Sequence, residues 1–173
     1  MLCRPACPQD AARLAEIYAP YVADTAITFA TVPLTEKDFL HKMESPYPFL
    51  VAEENGVVQG YAYAAQFREK EAYRLDVELS IYLPPDARGR GLGAALMERL
   101  LERIRRQGYL NAYSCITLPN PASIALHERF GFRQIGLFEK SGYKLGRWHD
   151  VVWLALPLGS FDGAPAEPGA YDE

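Results

Sequence analysis

Seven consecutive residues, Arg88-Gly89-Arg90-Gly91-Leu92-Gly93-Ala94, carry the plainest chemical signal in this chain. Their alternating glycines permit positive φ and let backbone come close to a ligand. An apolar strand-like run, Val77 to Leu83, precedes them, and an amphipathic helix, Leu92 to Arg106, follows. A Gly-rich loop that opens a helix presents free N–H groups and the positive end of the helix dipole. Arg88 and Arg90 add charge. The combination suits a phosphorylated ligand on residues 88–94. Other side chains nearby could move protons or hold charge. Glu78 lies on the strand face opposite Val77, Leu79 and Ile81, where partial burial would make its carboxylate a better base. His127 titrates near neutrality. Arg74 suits bidentate capture of a carboxylate.

The phosphate ligand has several forms to choose from. Gly89-x-Gly91-x-x-Ala94 formally matches the dinucleotide-binding pattern. That pattern belongs on the first strand of a βαβ unit, with an acidic residue about 20 positions later. Here it sits mid-chain, and no Asp or Glu occurs from Gln107 through Leu126. The P-loop pattern, ending in Lys-Ser/Thr, is absent.

The elements that must position these residues follow from periodicity. Met1 to Arg4 reads as a short strand stopped by Pro5. Gln9–Tyr18 carries Ala11, Leu14, Ala15, Ile17 and Tyr18 at helical spacing. Ala26 to Thr31 reads as an extended connection, and Thr35-Glu36-Lys37-Asp38 as a capping-box-like helix opening. Phe49 to Glu53 and Val57 to Phe67 read as strands joined by a hairpin turn at Asn55-Gly56. Val77, Leu79, Ile81 and Leu83 alternate with polar neighbours, and Pro84-Pro85 stops that strand. Leu110 to Leu118 reads as a strand and Asn120 to Phe130 as a short helix. Phe132 to Phe138 and Val151 to Leu156 read as the final strands. The order is β-α-α-β-β-β-α-β-α-β-β. It defines a mixed α/β domain, α+β-like, because the Asn55-Gly56 hairpin is antiparallel.

Composition bounds the class. The 173 residues suit one domain with its own core, over residues 1–158. The Gly/Pro/acid-rich stretch 159–173 is expected to be a disordered tail. A net charge of −4 argues against non-specific nucleic-acid binding. No apolar run reaches the roughly 20 residues of a membrane span. The N-terminus shows no signal-peptide core, so a cytoplasmic location is expected. Cys3, Cys7 and Cys115 have no metal-ligand spacing and are expected to be reduced thiols. Cys115 is expected to be a buried small hydrophobe. His41 has no informative context.

Arg88-x-x-Gly91-x-Gly93 resembles the pyrophosphate-binding motif of the GNAT superfamily of acetyl-CoA-dependent N-acetyltransferases. Further segments are similar to its phosphinothricin/methionine sulfoximine N-acetyltransferase family. They are Thr28-Phe29 with Pro33 and Thr35; Phe67-Arg68 with Ala72-Tyr73-Arg74; Val77-Glu78 with Ser80 and Tyr82; Asn120-Pro121-Ala122-Ser123-Ile124 with Leu126-His127-Glu128; and Gly142 to Val151. The resemblance runs from about residue 3 to about residue 158. It departs at Asp76, where the family usually has Thr, and at Leu79, where it usually has a small or polar residue. Both flank Glu78 and bear on substrate choice.

The resemblance implies a GNAT fold, a mostly antiparallel twisted sheet flanked by helices. It implies acetyl-CoA as co-substrate, with no metal, held by Ile81, Tyr82, Leu83, Arg88, Gly89, Arg90, Gly91, Leu92, Gly93, Ala94 and Asn120. Catalysis would fall to Glu78 as base and His127 as donor of a proton to the departing thiolate. Thr28, Phe29, Ala72, Tyr73, Arg74 and Glu78 would line the pocket of a small-molecule amine. Lys144, Trp148 and His149 fall in a family signature, an aromatic-rich hairpin suited to a homodimer interface. Asn120 and His127 also fit plain roles, as a helix N-cap and a surface helix histidine. Two other functions remain open: the same fold acetylating a protein N-terminus, polyamine or antibiotic, and a non-catalytic acyl-CoA or nucleotide sensor.

Overall fold

The computed structural model describes residues 1–170. The last three positions of the expected tail, 171–173, lie outside the described residues. The elements are β1 (Leu2–Pro5), α1 (Ala11–Asp24), α2 (Glu36–Met43), β2 (Phe49–Glu54), β3 (Val57–Gln66), β4 (Asp76–Tyr82), α3 (Leu92–Gln107), β5 (Asn111–Thr117), α4 (Pro121–Arg129), β6 (Arg133–Lys144) and β7 (Arg147–Pro157). Their order is the expected one. They form one seven-stranded sheet in the order β1-β2-β3-β4-β5-β7-β6. Among the described residues every pairing is antiparallel except β4 with β5.

Strand alternation splits the sheet into two faces. Leu50, Ala52, Ala62, Ala64, Val77, Leu79 and Ala112 point to one side and meet Leu92, Leu96, Met97, Leu100, Leu101 and Ile104 of α3. Phe49, Val51 and Tyr61 point to the other and meet Leu14, Ile17, Tyr18 and Phe39 of α1 and α2. Both helix stripes follow the 3.6-residue period. Leu100 is wholly buried. Leu100→Ala should therefore lower the unfolding free energy by about 2–5 kcal/mol, through lost transfer energy and a residual cavity. Denaturant unfolding measures this.

Local chemistry sets the ends. Thr35 caps α2 as expected: its hydroxyl accepts from the Asp38 N–H, while the Asp38 carboxylate accepts from the Thr35 N–H at 2.7 Å. Asn55 and Gly56 turn β2 into β3 with φ of 52° and 76°.

Three expectations are corrected. Helix α1 does not end near Tyr18 but runs through Pro20 to Asp24. Proline removes a helix donor, yet Tyr21 and Val22 beyond it are buried, and their packing keeps the helix going. Strands β6 and β7 are longer than the alternation indicates. β6 is an exposed edge strand with two register shifts and a positive φ at Lys140, which blur its period. Cys115 is exposed rather than buried, because it faces a groove where β5 leaves β4.

Residues 159–170 form no helix or strand. They do touch the body: Glu167 pairs with Arg74 at 2.7 Å, and the Gly169 N–H donates to the Gln107 carbonyl at 2.7 Å. No helix among the described residues is long and apolar enough to cross a membrane. Among them, no group of three or more His, Cys, Asp or Glu side chains could hold a metal ion.

Candidate active site

The sheet opens where its one parallel pair stops. β4 and β5 are in register at Asp76↔Asn111, Val77↔Ala112 and Glu78↔Tyr113. Beyond that point β4 continues to Tyr82 along β3 and β5 to Thr117 along β7, without pairing with each other. The wedge between them is a cavity of about 450 Å³. Leu79 to Leu83 form one wall and Ser114 to Thr117 the other. Two strands that part expose backbone groups which must find other partners.

The N-terminus of α3 faces this wedge. Gly91 is its N-cap at φ 84° and offers no side-chain cap. The first intrahelical bond of this turn runs from the Ala95 N–H to the Gly91 carbonyl at 3.0 Å. The N–H groups of Leu92, Gly93 and Ala94 precede it and lack helical acceptors. No acidic side chain occupies that first turn. Gly89, Gly91, Gly93 and Ala94 line the cavity together with Arg88. This is an anion cradle of backbone donors at a positive helix end. Arg90 is not part of it, since its guanidinium pairs with Glu54. Leu92 is wholly buried, so only its backbone is available.

Glu78 is the last β4 residue in register with β5, and the wall of the wedge begins one residue later, at Leu79. Burial pushes the Glu78 carboxyl above the usual range, and the charge of Arg68 opposes that rise. Around it lies an aromatic floor that periodicity did not single out. Phe67 stacks on Tyr113 at 4.2 Å and meets Tyr73 and Trp153 edge-on. The Arg68 guanidinium lies over the Phe67 ring at 4.9 Å and over Trp153 at 5.9 Å. Phe67-Arg68 was visible in the sequence as a motif. The parts of Tyr113 and Trp153 were not, since each reads as an ordinary strand aromatic.

Arg74 does not contact Glu78. Its Nε donates to both Glu167 oxygens, at 2.7 and 3.0 Å, and Glu71 stands 3.9 Å away. Ala72 and Tyr73 line a second hollow with the tail, of about 510 Å³. The two departures from the family pattern differ in place. Asp76 accepts from Asn111 Nδ2 at 2.8 Å, and Leu79 packs in the core while forming part of the wedge wall. Thr28 accepts or donates a hydrogen bond with the Tyr18 hydroxyl at 2.9 Å. Phe29 packs on Gly142 and His149, and Ile27 beside them lines the wedge.

Asn120 both caps α4, accepting from the Ser123 N–H at 3.2 Å, and lines the cavity. His127 lines it too and is buried rather than on the surface. Its Nδ1 donates to the Ser123 carbonyl at 2.7 Å, which leaves Nε2 as the acceptor nitrogen. Burial lowers its pKa, so the ring is neutral at pH 7. The Cys115 thiol is pushed up to about 11, first by desolvation of its sulfur within the groove and then by the charge of Glu78. It is therefore protonated at neutral pH and a poor nucleophile.

Residues 4–153 match the acetyltransferase (GNAT) domain family. The phosphinothricin N-acetyltransferase of Streptomyces coelicolor is 38% identical over 162 residues, which span 90% of this chain and 95% of that protein. The L-methionine sulfoximine/L-methionine sulfone acetyltransferase of Salmonella typhimurium is 37% identical over 153 residues, 86% of this chain and 90% of that one. The crystal structure of a phosphinothricin acetyltransferase from Sinorhizobium meliloti with acetyl-CoA superposes with a TM-score of 0.92. It is 39% identical, and the overlap covers 98% of this chain and 95% of that one.

Proposed function

The chain belongs to the GNAT acetyltransferase family, and from that premise we propose that it moves the acetyl group of acetyl-CoA onto the α-amine of a small amino acid or analogue. Phosphinothricin, methionine sulfoximine and methionine sulfone are the leading acceptors, the substrates named for its relatives. The observation that carries this reading is the parting of β4 and β5 immediately after Glu78, beside the Gly-rich end of α3.

The chemistry follows from the groups in place. The pyrophosphate of CoA suits the N–H groups of 92–94 and the Arg88 guanidinium. Its thioester arm lies in the wedge along residues 81–83. The acceptor arrives as an ammonium, which has no lone pair. Glu78 takes its proton, directly or through a water, and its raised pKa suits that task. The free amine attacks the thioester carbonyl carbon; the C–N bond forms, the C–S bond breaks, and the nitrogen sheds its second proton to the departing sulfur, directly or through a water, so that CoA leaves as the thiol. Direct transfer in a ternary complex is the simplest course, and a Cys115 held as a thiol supports it. His127, neutral and with Nδ1 committed to Ser123, suits orientation of the leaving sulfur or a water better than donation from imidazolium. Initial rates in both substrates should give intersecting lines, with the N-acetylated amino acid identified by mass spectrometry. Parallel lines would indicate an acetyl-enzyme and sink direct transfer.

The acceptor carboxylate has two cations to meet, Arg68 beside Glu78 and Arg74 just ahead of β4. Glu167 already occupies Arg74. An incoming carboxylate must displace it, so Glu167→Gln should lower the acceptor KM by up to about fivefold, the worth of an exposed ion pair. Arg74→Leu should raise it. An unchanged KM in both variants would leave Arg68 as the carboxylate partner.

The three free cysteines support a reducing, cytoplasmic setting. Ile135, Leu137, Phe138, Tyr143 and Trp148 are exposed on β6 and β7, which supports a homodimer through that face.

A further inference from the structure

Lys144 ends β6 and is only 8% exposed. Burying an ammonium is costly unless it is well partnered. Among the described residues its partners are carbonyls and no carboxylate. Nζ donates to the Thr28 carbonyl at 2.8 Å and reaches the Tyr21 carbonyl at 3.5 Å. Tyr21 sits in the last turn of α1, where carbonyls lack helical partners and the dipole favours a cation. The Tyr21 carbonyl also accepts from the Thr25 hydroxyl at 2.7 Å, so Lys144 adds a second, longer contact to the end of α1 and chiefly holds the following loop at Thr28.

Two more contacts tighten the same junction. Phe29 lies so close to Gly142 that a Cβ there would fall 2.2 Å from its ring. The backbone of Lys144 is itself held, since its carbonyl accepts from His149 Nε2 at 3.0 Å. The other end of Tyr21 reaches the groove. Its hydroxyl donates to the Leu83 carbonyl and accepts from the Leu83 N–H at 3.3 Å and Arg88 Nη2 at 3.0 Å. The Arg88 guanidinium also lies over the Tyr21 ring. One tyrosine therefore joins the Lys144 latch to the strand end and the arginine of the anion cradle.

We propose that Lys144 is a positioning residue that latches the 25–29 loop as a wall of the acceptor pocket and, through Tyr21, aligns Leu83 and Arg88 for CoA. The inference rests on the acetyltransferase reading for the roles of those two sites. The latch acts on both substrates without touching either.

Lys144→Met keeps length and removes charge. It should raise the methionine sulfone KM about tenfold to 100-fold, the scale of a misplaced supporting group, and weaken acetyl-CoA binding by calorimetry. Lys144→Arg should restore part of both. Tyr21→Phe keeps the ring and Thr28's contact, so it should weaken acetyl-CoA binding while moving the acceptor KM less than Lys144→Met does. A lower melting temperature for Lys144→Met with KM and acetyl-CoA affinity unchanged would reduce Lys144 to a structural role and overturn the proposal. If Lys144→Met does not fold, unchanged acetyl-CoA affinity in Tyr21→Phe overturns it instead. Wild-type protein that acetylates no amino acid would mark failure of the acetyltransferase reading, a result separate from either.

Discussion

Glu78→Gln is expected to slow acetyl transfer by about 100-fold or more, the contribution of a positioned general base, while acetyl-CoA affinity stays near that of the wild type. Glu78 is the last β4 residue in register with β5, just ahead of the walls that would hold the thioester arm. Its loss should therefore register in turnover rather than in cofactor capture. The variant should also fold well. Because burial raises the folded pKa of Glu78, the folded state favours its protonated form. That contribution to stability is present at low pH and fades as pH rises through the folded pKa. A neutral amide at pH 7 removes the cost of a buried charge. The same shift sets the pH profile. kcat/KM should rise as Glu78 deprotonates, with its acid limb above the ordinary carboxylate range, and Glu78→Gln should lose that limb. Undiminished turnover would remove Glu78 from the mechanism.

Gly91→Val should weaken acetyl-CoA binding by about 100-fold, about 2.7 kcal/mol, as measured by calorimetry. At φ 84° Gly91 is in the left-handed region, which a β-branched residue enters only with strain. No protein atom lies within 4 Å of the position a Cβ would take. The damage should therefore come from a displaced loop and from blocked approach of the phosphates to the backbone donors. Gly108→Val is the matched control. It imposes the same kind of strain at φ 91°, also in open space, at the C-cap of α3, the end opposite the cradle. It should cost stability and leave acetyl-CoA affinity intact. Equal loss in both variants would attribute the Gly91 effect to general strain.

Much of the site was legible because its residues are constrained by local rules. The loop at 88–94 needs glycine at φ values other residues avoid, so its sequence betrays its shape. Glu78 shows itself as the polar member of a strict alternation. Asn120 announces a cap and performs that role while also lining the groove. What stayed hidden depends on contacts between distant segments. Arg90 looks like part of the cradle until Glu54, on another strand, claims it. Arg74 reads as free until Glu167 arrives from the far end of the chain. His127 reads equally as a surface helix histidine or a proton donor, and its burial, with its ring against Phe132, leaves no trace in so short a helix. Tyr21 falls beyond Tyr18, where the helical spacing stops, so its link to Leu83 and Arg88 leaves no periodic trace. The edge strand β6 hides for the opposite reason: with one neighbour and bulges at Gln134/Gly136 and Phe138/Gly142, it has little burial to alternate.

The most direct measurement is CoA-thiol release from acetyl-CoA by the purified chain, with methionine sulfone, phosphinothricin, spermidine and a generic peptide as parallel acceptors. Release with the two amino-acid analogues alone is the expected result. Release with spermidine or peptide instead would keep the fold and contradict the proposed acceptor. Tight acetyl-CoA binding with no release to any amine would contradict catalysis and identify a sensor.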